Sequence, residues 1–299
     1  MNSSRSRQGA ILLIAGLLWG VVGRAAEPAN EEAWMKLRPV IGEESGHLIE
    51  PGQTLHDVAF LHRLGFGAVQ RLNPDIDPWL PRAGTVVRLP TRFTLPPADS
   101  EGIVINLPEM RLYDFTGNEP VRVLAVAVGD PDDPTPVGRF PIGQKRVNPT
   151  WNVPVSIQKE RPDLPKQVAP GEDNPLGSRW MTLGRTSYGI HGTNVRWSIG
   201  RGATHGCVRL YEDTMEALYD RIPQGTPVVL IYEPFKWGTN GKDLFIEVHP
   251  DIYGRIAHPL ASALSLPREL GLLANIDVEK VWEAVETAPG VPIRVGSMP

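Results

Sequence analysis

The residues best suited to chemistry lie in one stretch, IHGTNVRWSIGRGATHGCVRL, residues 190–210. It holds the only cysteine of the 299-residue chain, Cys207, with His205 two positions before it and His191 further upstream. A thiolate attacks carbonyl carbon readily, but an ordinary thiol is mostly protonated at neutral pH and needs a base or a positive neighbour. Histidine supplies that base best near neutrality. If the segment is extended, His205, Cys207 and Arg209 share one face, because alternate residues of a strand point the same way. The preceding run SYGIH would pair with residues 205–210 as a strand and bring His191 beside the thiol. Gly206 would admit a close approach and leave backbone N–H groups free to face a developing oxyanion. Arg209 adds a fixed positive charge suited to a carboxylate.

Other readings of these residues compete. Cys207 can be a buried small apolar residue, as free cysteines often are. His191, His205 and Cys207 can bind zinc, which takes nitrogen and sulfur ligands; against this, the close pair is H-x-C and no acidic ligand has an obvious place. The histidines can be core residues. Spacing alone leaves a thiol enzyme and a structural cysteine both open.

The compartment bears on that choice. Arg5 and Arg7 precede an apolar run of about 15 residues, and small residues follow at Ala25 and Ala26. This pattern predicts a signal peptide over residues 1–25, cut after Ala25. The run is shorter than the roughly 20 residues that span a bilayer, so no lasting membrane span is expected. The mature protein is then exported. A lone cysteine in an exported protein has no internal disulfide partner and is an oxidation liability, which raises the expectation of chemistry. The formal charge of −4 becomes about −7 once Arg5, Arg7 and Arg24 leave with the leader. So acidic a chain lacks the basic face that nucleic-acid binding needs.

The elements that must hold these residues read as follows. Residues 26–45 are polar and read as a linker. Residues 46–92 form a compact unit in the order strand, helix, helix, strand. Pro51-Gly52 marks a turn and Thr54 a helix cap, Leu55, Val58, Ala59 and His62 recur at helical spacing, and Asn73-Pro74 stops the second helix. Strands are expected at Ile103–Leu107, Arg111–Phe115 and Val121–Val128, the last apolar almost throughout, as for a strand buried on both faces. A turn-rich loop leads to another short strand near Phe140. Residues 144–180 carry six prolines and read as a long packed loop. YEDTMEALYDRI reads as an amphipathic helix with acids in its first turn, ended by Pro223. TPVVLIY and LFIEVH are strands. Residues 234–299 read as a strand and a helical C-terminal extension, with the clearest helix at Val278–Val285.

Two resemblances follow. Residues 46–92 resemble a LysM module through Gly52, Thr54, Leu55, Ala59, Asn73, Gly84, Leu89 and Pro90, with Gln53 where an acidic residue is commoner. That resemblance implies a small α+β unit that binds peptidoglycan glycan. The stretch HGTNVRWSIGRGATHGCVRL resembles the signature of the L,D-transpeptidases: His191, a spacer, then Thr204, His205, Gly206, Cys207, Val208 and Arg209. PTPVGRFPI, NPTWNVP, NPLGSRWMTLG and YGIHGT look like the same family, in its Gram-negative periplasmic branch.

The second resemblance implies a mainly β, sandwich-type catalytic domain over residues 100–233 with one or two helices. It implies that Cys207 attacks the third residue of a peptidoglycan stem peptide, expels D-Ala, and passes the acyl group to an amine. That amine belongs to a second stem peptide, giving a 3→3 link, or to a lipoprotein; with water as acceptor the enzyme would be a carboxypeptidase or amidase. His191 would be the base, oriented by the carbonyl of Gly192. His205 and Gly206 would line the site and supply oxyanion donors. Arg209, Thr204, Trp197 and Tyr188 would contact substrate. No metal or organic cofactor is implied, and carbapenem acylation of Cys207 is. A wall-binding protein with a vestigial site is the remaining alternative.

Overall fold

The computed structural model describes residues 34–97, 101–117 and 120–299. The expected signal peptide lies outside the described residues, among which no helix is long and apolar enough to cross a membrane.

The chain opens with β1 (Arg38–Gly42), inside the stretch expected to be a linker. It then builds the first unit: β2 (Ser45–Leu48), α1 (Leu55–Leu61), α2 (Phe66–Leu72) and β3 (Val86–Leu89). β2 and β3 pair antiparallel. Thr54 caps α1 reciprocally: its hydroxyl accepts from Asp57 N, and Asp57 accepts from Thr54 N at 3.0 Å. Leu55, Val58 and Ala59 on α1 meet Phe66 and Val69 on α2 and Val87 and Leu89 on β3 in one small core. His62, placed with that apolar face by spacing, instead closes the helix, its ring paired with His47 at 3.1 Å. Asn73 stops α2 and pins it to β3, donating to Val69 O and Arg88 O and accepting from Arg88 N.

β4 (Arg92–Thr94) pairs antiparallel with β1. Then come β5 (Ile103–Asn106), β6 (Arg111–Asp114), β7 (Arg122–Ala125), β8 (Val128–Gly129) and the ten-residue β9 (Gly138–Val147), longer than the short strand expected there. The proline-rich stretch is an excursion: β10 (Trp151–Asn152) and β11 (Gln167–Val168) pair antiparallel, with α3 (Val155–Glu160) between them. β12 (Arg179–Leu183), β13 (Gly189–His191), β14 (Gly202–Thr204), β15 (Val208–Arg209), α4 (Glu212–Arg221) and β16 (Pro227–Ile231) complete the central unit.

Eight of these strands form one sheet in the order β15-β13-β12-β9-β16-β5-β6-β7. The sheet curls until its ends meet, at a bridge between Ala127, just past β7, and Arg209 on β15. Inside the curl, Ile105, Leu112, Ile142, Met181, Ile190, Val208 and Leu230 pack with Met215 and Leu218 of α4 and with Ile222 just past its end. The run at 121–128, expected to be one strand buried on both faces, splits: residues 122–125 form the half-buried outer strand β7, while Val126, Ala127 and Val128 are buried. β5 and β6 take the buried middle positions instead. Apolar continuity does not say which strand lies at an edge.

The C-terminal residues hold more sheet than expected. β17 (Phe235–Thr239) and β18 (Asp243–Val248) join β1, β4 and a final strand, β19 (Pro292–Ser297), in the order β19-β18-β17-β1-β4. The short helices α5 (Pro259–Ala263) and α6 (Ser265–Glu269) and the longer α7 (Val278–Thr287) cover this second sheet around Trp237, Leu244, Ile246, Val281 and Val295.

A buried ionic cluster joins the two sheets. Lys236 on β17 sits 2.8 Å from Glu109 and 3.2 Å from Glu247 on β18. Arg111 on β6 pairs with Glu247 at 2.7 Å and with Glu109 at 3.3 Å. His249 meets Glu247 at 2.9 Å, and the Tyr113 hydroxyl donates to Glu109. Burial by itself would raise Glu247, but Lys236 and the His249 hydrogen bond hold its carboxyl below the usual carboxylate range.

Candidate active site

β13 and β15 run parallel, with Ile190 opposite Val208 and His191 opposite Arg209. That register aligns Cys207 with Gly189, and sets Cys207, Arg209 and His191 on one face of the paired strands. The expected pairing of SYGIH with the cysteine strand is therefore present, but it begins only at Val208. The extended H-x-C segment is absent. Gly206 has φ +92°, so the chain turns between His205 and Cys207.

The turn has its own brace. Thr204 Oγ1 donates to Cys207 O at 2.6 Å and accepts from Gly206 N at 3.1 Å. The Gly206 N–H, expected to face an oxyanion, is spent inside the loop. Thr204, expected to touch substrate, is buried and shapes that loop. The Tyr188 ring lies where a Cβ on Gly206 would stand, so glycine is required there twice, for its φ and for the ring.

His191 is 2 % exposed. Its Nδ1 lies 2.6 Å from Gly192 O. A carbonyl only accepts, so the proton sits on Nδ1 and Nε2 keeps its lone pair. The ring stacks against Trp180, centroids 5.5 Å apart. Burial, then the Arg209 charge, push the imidazole down to about 3, against a smaller upward pull from the Gly192 and Leu176 backbone. The ring is therefore neutral at any ordinary pH. Burial also pushes the Cys207 thiol up, while the Gly189 N–H and Arg209 favour the thiolate. The resting pair is thiol and neutral imidazole. Arg209 is lowered by its own burial, and its Nε has no hydrogen-bond partner among the described residues.

The remaining expected residues separate. His205 is exposed, and its Nε2 contacts Glu160 of α3 at 3.0 Å and Asp133 at 3.9 Å. Trp197 lies on a 3-10 turn, Arg196–Ser198, and is 56 % exposed. That turn meets the first unit, where the Trp197 backbone bonds His56 and the Arg196 guanidinium lies over Phe60.

One contributor escaped sequence reasoning. Glu212, the first residue of α4, extends a carboxylate to where a Cβ on either Gly177 or Gly192 would stand. Its Oε1 accepts from Ser178 N at 2.6 Å, while Oε2 is buried without a hydrogen-bond partner. It braces the backbone that holds His191. The available signal was an acid opening the helix just after the motif, which reads equally as a response to the helix dipole.

A family model described as the L,D-transpeptidase catalytic domain matches residues 100–230. "Probable L,D-transpeptidase YcfS" of Escherichia coli strain K12 is 33% identical over 295 residues, covering 90% of this chain and 90% of that protein. "Probable L,D-transpeptidase YbiS" of the same strain is 33% identical over 272 residues, covering 86% of this chain and 88% of its own length. Among solved structures, the catalytic domain of an Enterococcus faecium L,D-transpeptidase matches with a TM-score of 0.34 and 22% identity, over 44% of this chain and 98% of that one.

Proposed function

This chain belongs to the L,D-transpeptidase family, and on that premise we propose that it acts on peptidoglycan stem tetrapeptides through an acyl-enzyme on Cys207. The observation that carries the reading is the 2.6 Å bond from His191 Nδ1 to Gly192 O beside the cysteine strand. It leaves Nε2 as the base, with a carbonyl in the orienting role that a carboxylate plays in a Ser-His-Asp triad.

Sγ passes its proton to His191 Nε2 as it bonds to the carbonyl carbon of the third stem residue. The tetrahedral intermediate collapses, and the imidazolium returns the proton to the departing D-Ala nitrogen. A thioester remains. An acceptor amine attacks it and loses a proton to Nε2, and the new amide frees the thiol. Arg209, with Nε unpartnered beside the thiol, is suited to a substrate carboxylate. Gly189 N–H, directed at the sulfur, favours the thiolate as the proton leaves. His205 and Tyr188 flank the turn that carries the nucleophile.

The acceptor is a second stem peptide, giving a 3→3 link, or a lipoprotein lysine. The first unit would hold glycan strands, and the protein would work in the periplasm. Purified protein given disaccharide-tetrapeptide should yield a cross-linked dimer with loss of D-Ala, read by mass spectrometry, and Cys207→Ala should yield none. Tripeptide monomer alone would make water the acceptor. Unchanged turnover in Cys207→Ala would overturn the mechanism.

A further inference from the structure

Among the described residues, two clusters of metal-ligating side chains stand outside the catalytic pair, and they differ in one respect. Glu109, Glu247 and His249 lie within 4.8 Å of one another, but Lys236 and Arg111 already neutralise the two carboxylates. Asp133, Glu160 and His205 also lie within 4.8 Å of one another. There, among the described residues, the ion-pair contacts of Asp133 and Glu160 go to the His205 they share, and no lysine or arginine joins them. Asp130 already caps the loop below, accepting from Asp132 N and Asp133 N, so the Asp133 carboxylate is not needed for the turn.

The geometry points to a divalent transition-metal site of the zinc class, formed by Asp133, Glu160 and His205 beside the turn that carries Cys207. Two ligand atoms each about 2.0–2.1 Å from a tetrahedral zinc ion lie roughly 3.3 Å apart. His205 Nε2 stands 3.0 Å from Glu160 Oε2 and 3.9 Å from Asp133 Oδ2, on either side of that spacing. Two carboxylates match a dication in charge. The imidazole nitrogen selects zinc-like metals over magnesium or calcium, which take oxygen ligands. Three protein ligands leave a fourth position for water.

The three ligands come from separate segments. Asp133 lies on the loop after β8, Glu160 ends α3 in the proline-rich excursion, and His205 is two residues from the nucleophile. A bound metal ties the excursion and the loop to the cysteine turn. The site is independent of the reaction proposed for Cys207, and its test is independent too.

The test uses the full chain with Cys207→Ala, which removes the thiol as a rival ligand. Calorimetric titration with zinc chloride should show one equivalent bound. Adding Glu160→Gln and Asp133→Asn should weaken that binding at least tenfold, with the thermal transition of the metal-free protein kept. A tenfold excess of magnesium should not compete. Hydrogen exchange over residues 151–168 should slow with zinc in the Cys207→Ala protein and be unchanged by zinc in the triple variant. No binding, equal binding in the triple variant, or effective competition by magnesium would overturn the site. Unchanged exchange in the zinc-bound protein would overturn its action as a clasp.

Discussion

An unfolded histidine takes up a proton as the pH falls through about 6.5, and His191 in the folded chain refuses it until about 3. Between those values the unfolded state binds more protons, so acid withdraws stability from the fold. This one residue contributes a slope of up to about 1.4 kcal/mol per pH unit across that window. Denaturant unfolding of His191→Gln at several pH values should show that slope removed. Part of the acid sensitivity should persist, because His56, His62 and His249 are also lowered. Glu212 makes a kinetic prediction. Glu212→Ala should lower kcat about ten- to a hundredfold by loosening the backbone around Gly192, since small displacements at a reacting group are that costly. Glu212→Gln keeps the acceptor for Ser178 N and should retain most of the rate. Equal rates in Glu212→Ala and the parent would refute the brace. At Gly206, alanine meets the Tyr188 ring and a φ of +92°. Gly206→Ala should lose stability by about 1–3 kcal/mol and lose most of its activity.

At the scale of elements, the sequence was most legible where a local rule acts alone. The Thr54 cap, the Asn73-Pro74 stop and the Glu212–Arg221 helix lie where spacing and capping put them. Cys207 and His191 stood out as candidates because the chain has a single cysteine with histidines close by, but spacing left their role open and only the family resemblance supplied one. What misled was anything decided by distant partners. β1 reads as a polar linker because it needs β17 and β4 to become a strand. β19 reads as a tail for the same reason, since its partner is β18. The H-x-C segment reads as extended because two-residue spacing does not reveal a left-handed glycine. Lys236 and Glu247 lay unremarked in apolar strands, and their value appears only when two sheets meet. Lys236→Met, which leaves Glu109 and Glu247 buried with less compensation, should destabilise the protein by about 3–5 kcal/mol in equilibrium unfolding. Lys36→Met, at an exposed pair with Glu269, should cost less than about 1 kcal/mol.

At the scale of the molecule, the units are not separable beads. The first unit docks on the stretches that flank the cysteine: Phe66 N donates to Ile199 O, the Tyr211 hydroxyl donates to Leu64 O, and Arg63 pairs with Asp213. Gly65 and Gly200 pack backbone to backbone, leaving no room for a side chain on either. The ionic cluster locks the second sheet to β6. Residues 100–233 produced alone should therefore fail to show a cooperative thermal transition, because Glu109 and Arg111 would lose Lys236 and Glu247. A sharp transition near that of the full chain, followed by circular dichroism, would show the central unit to be autonomous.

The parallel pairing of β1 with β17 has a consequence in time. A ribosome delivers Arg38 long before Lys236. Until then β1 can hold β4, but its other edge has nothing to join. Closing a sheet across nearly the whole chain is slow, and an open strand edge invites pairing with a neighbouring molecule. The polar, turn-rich character of residues 38–45, which disguised the strand in the sequence, then acts as protection: a strand that must wait is safer if it does not look like one.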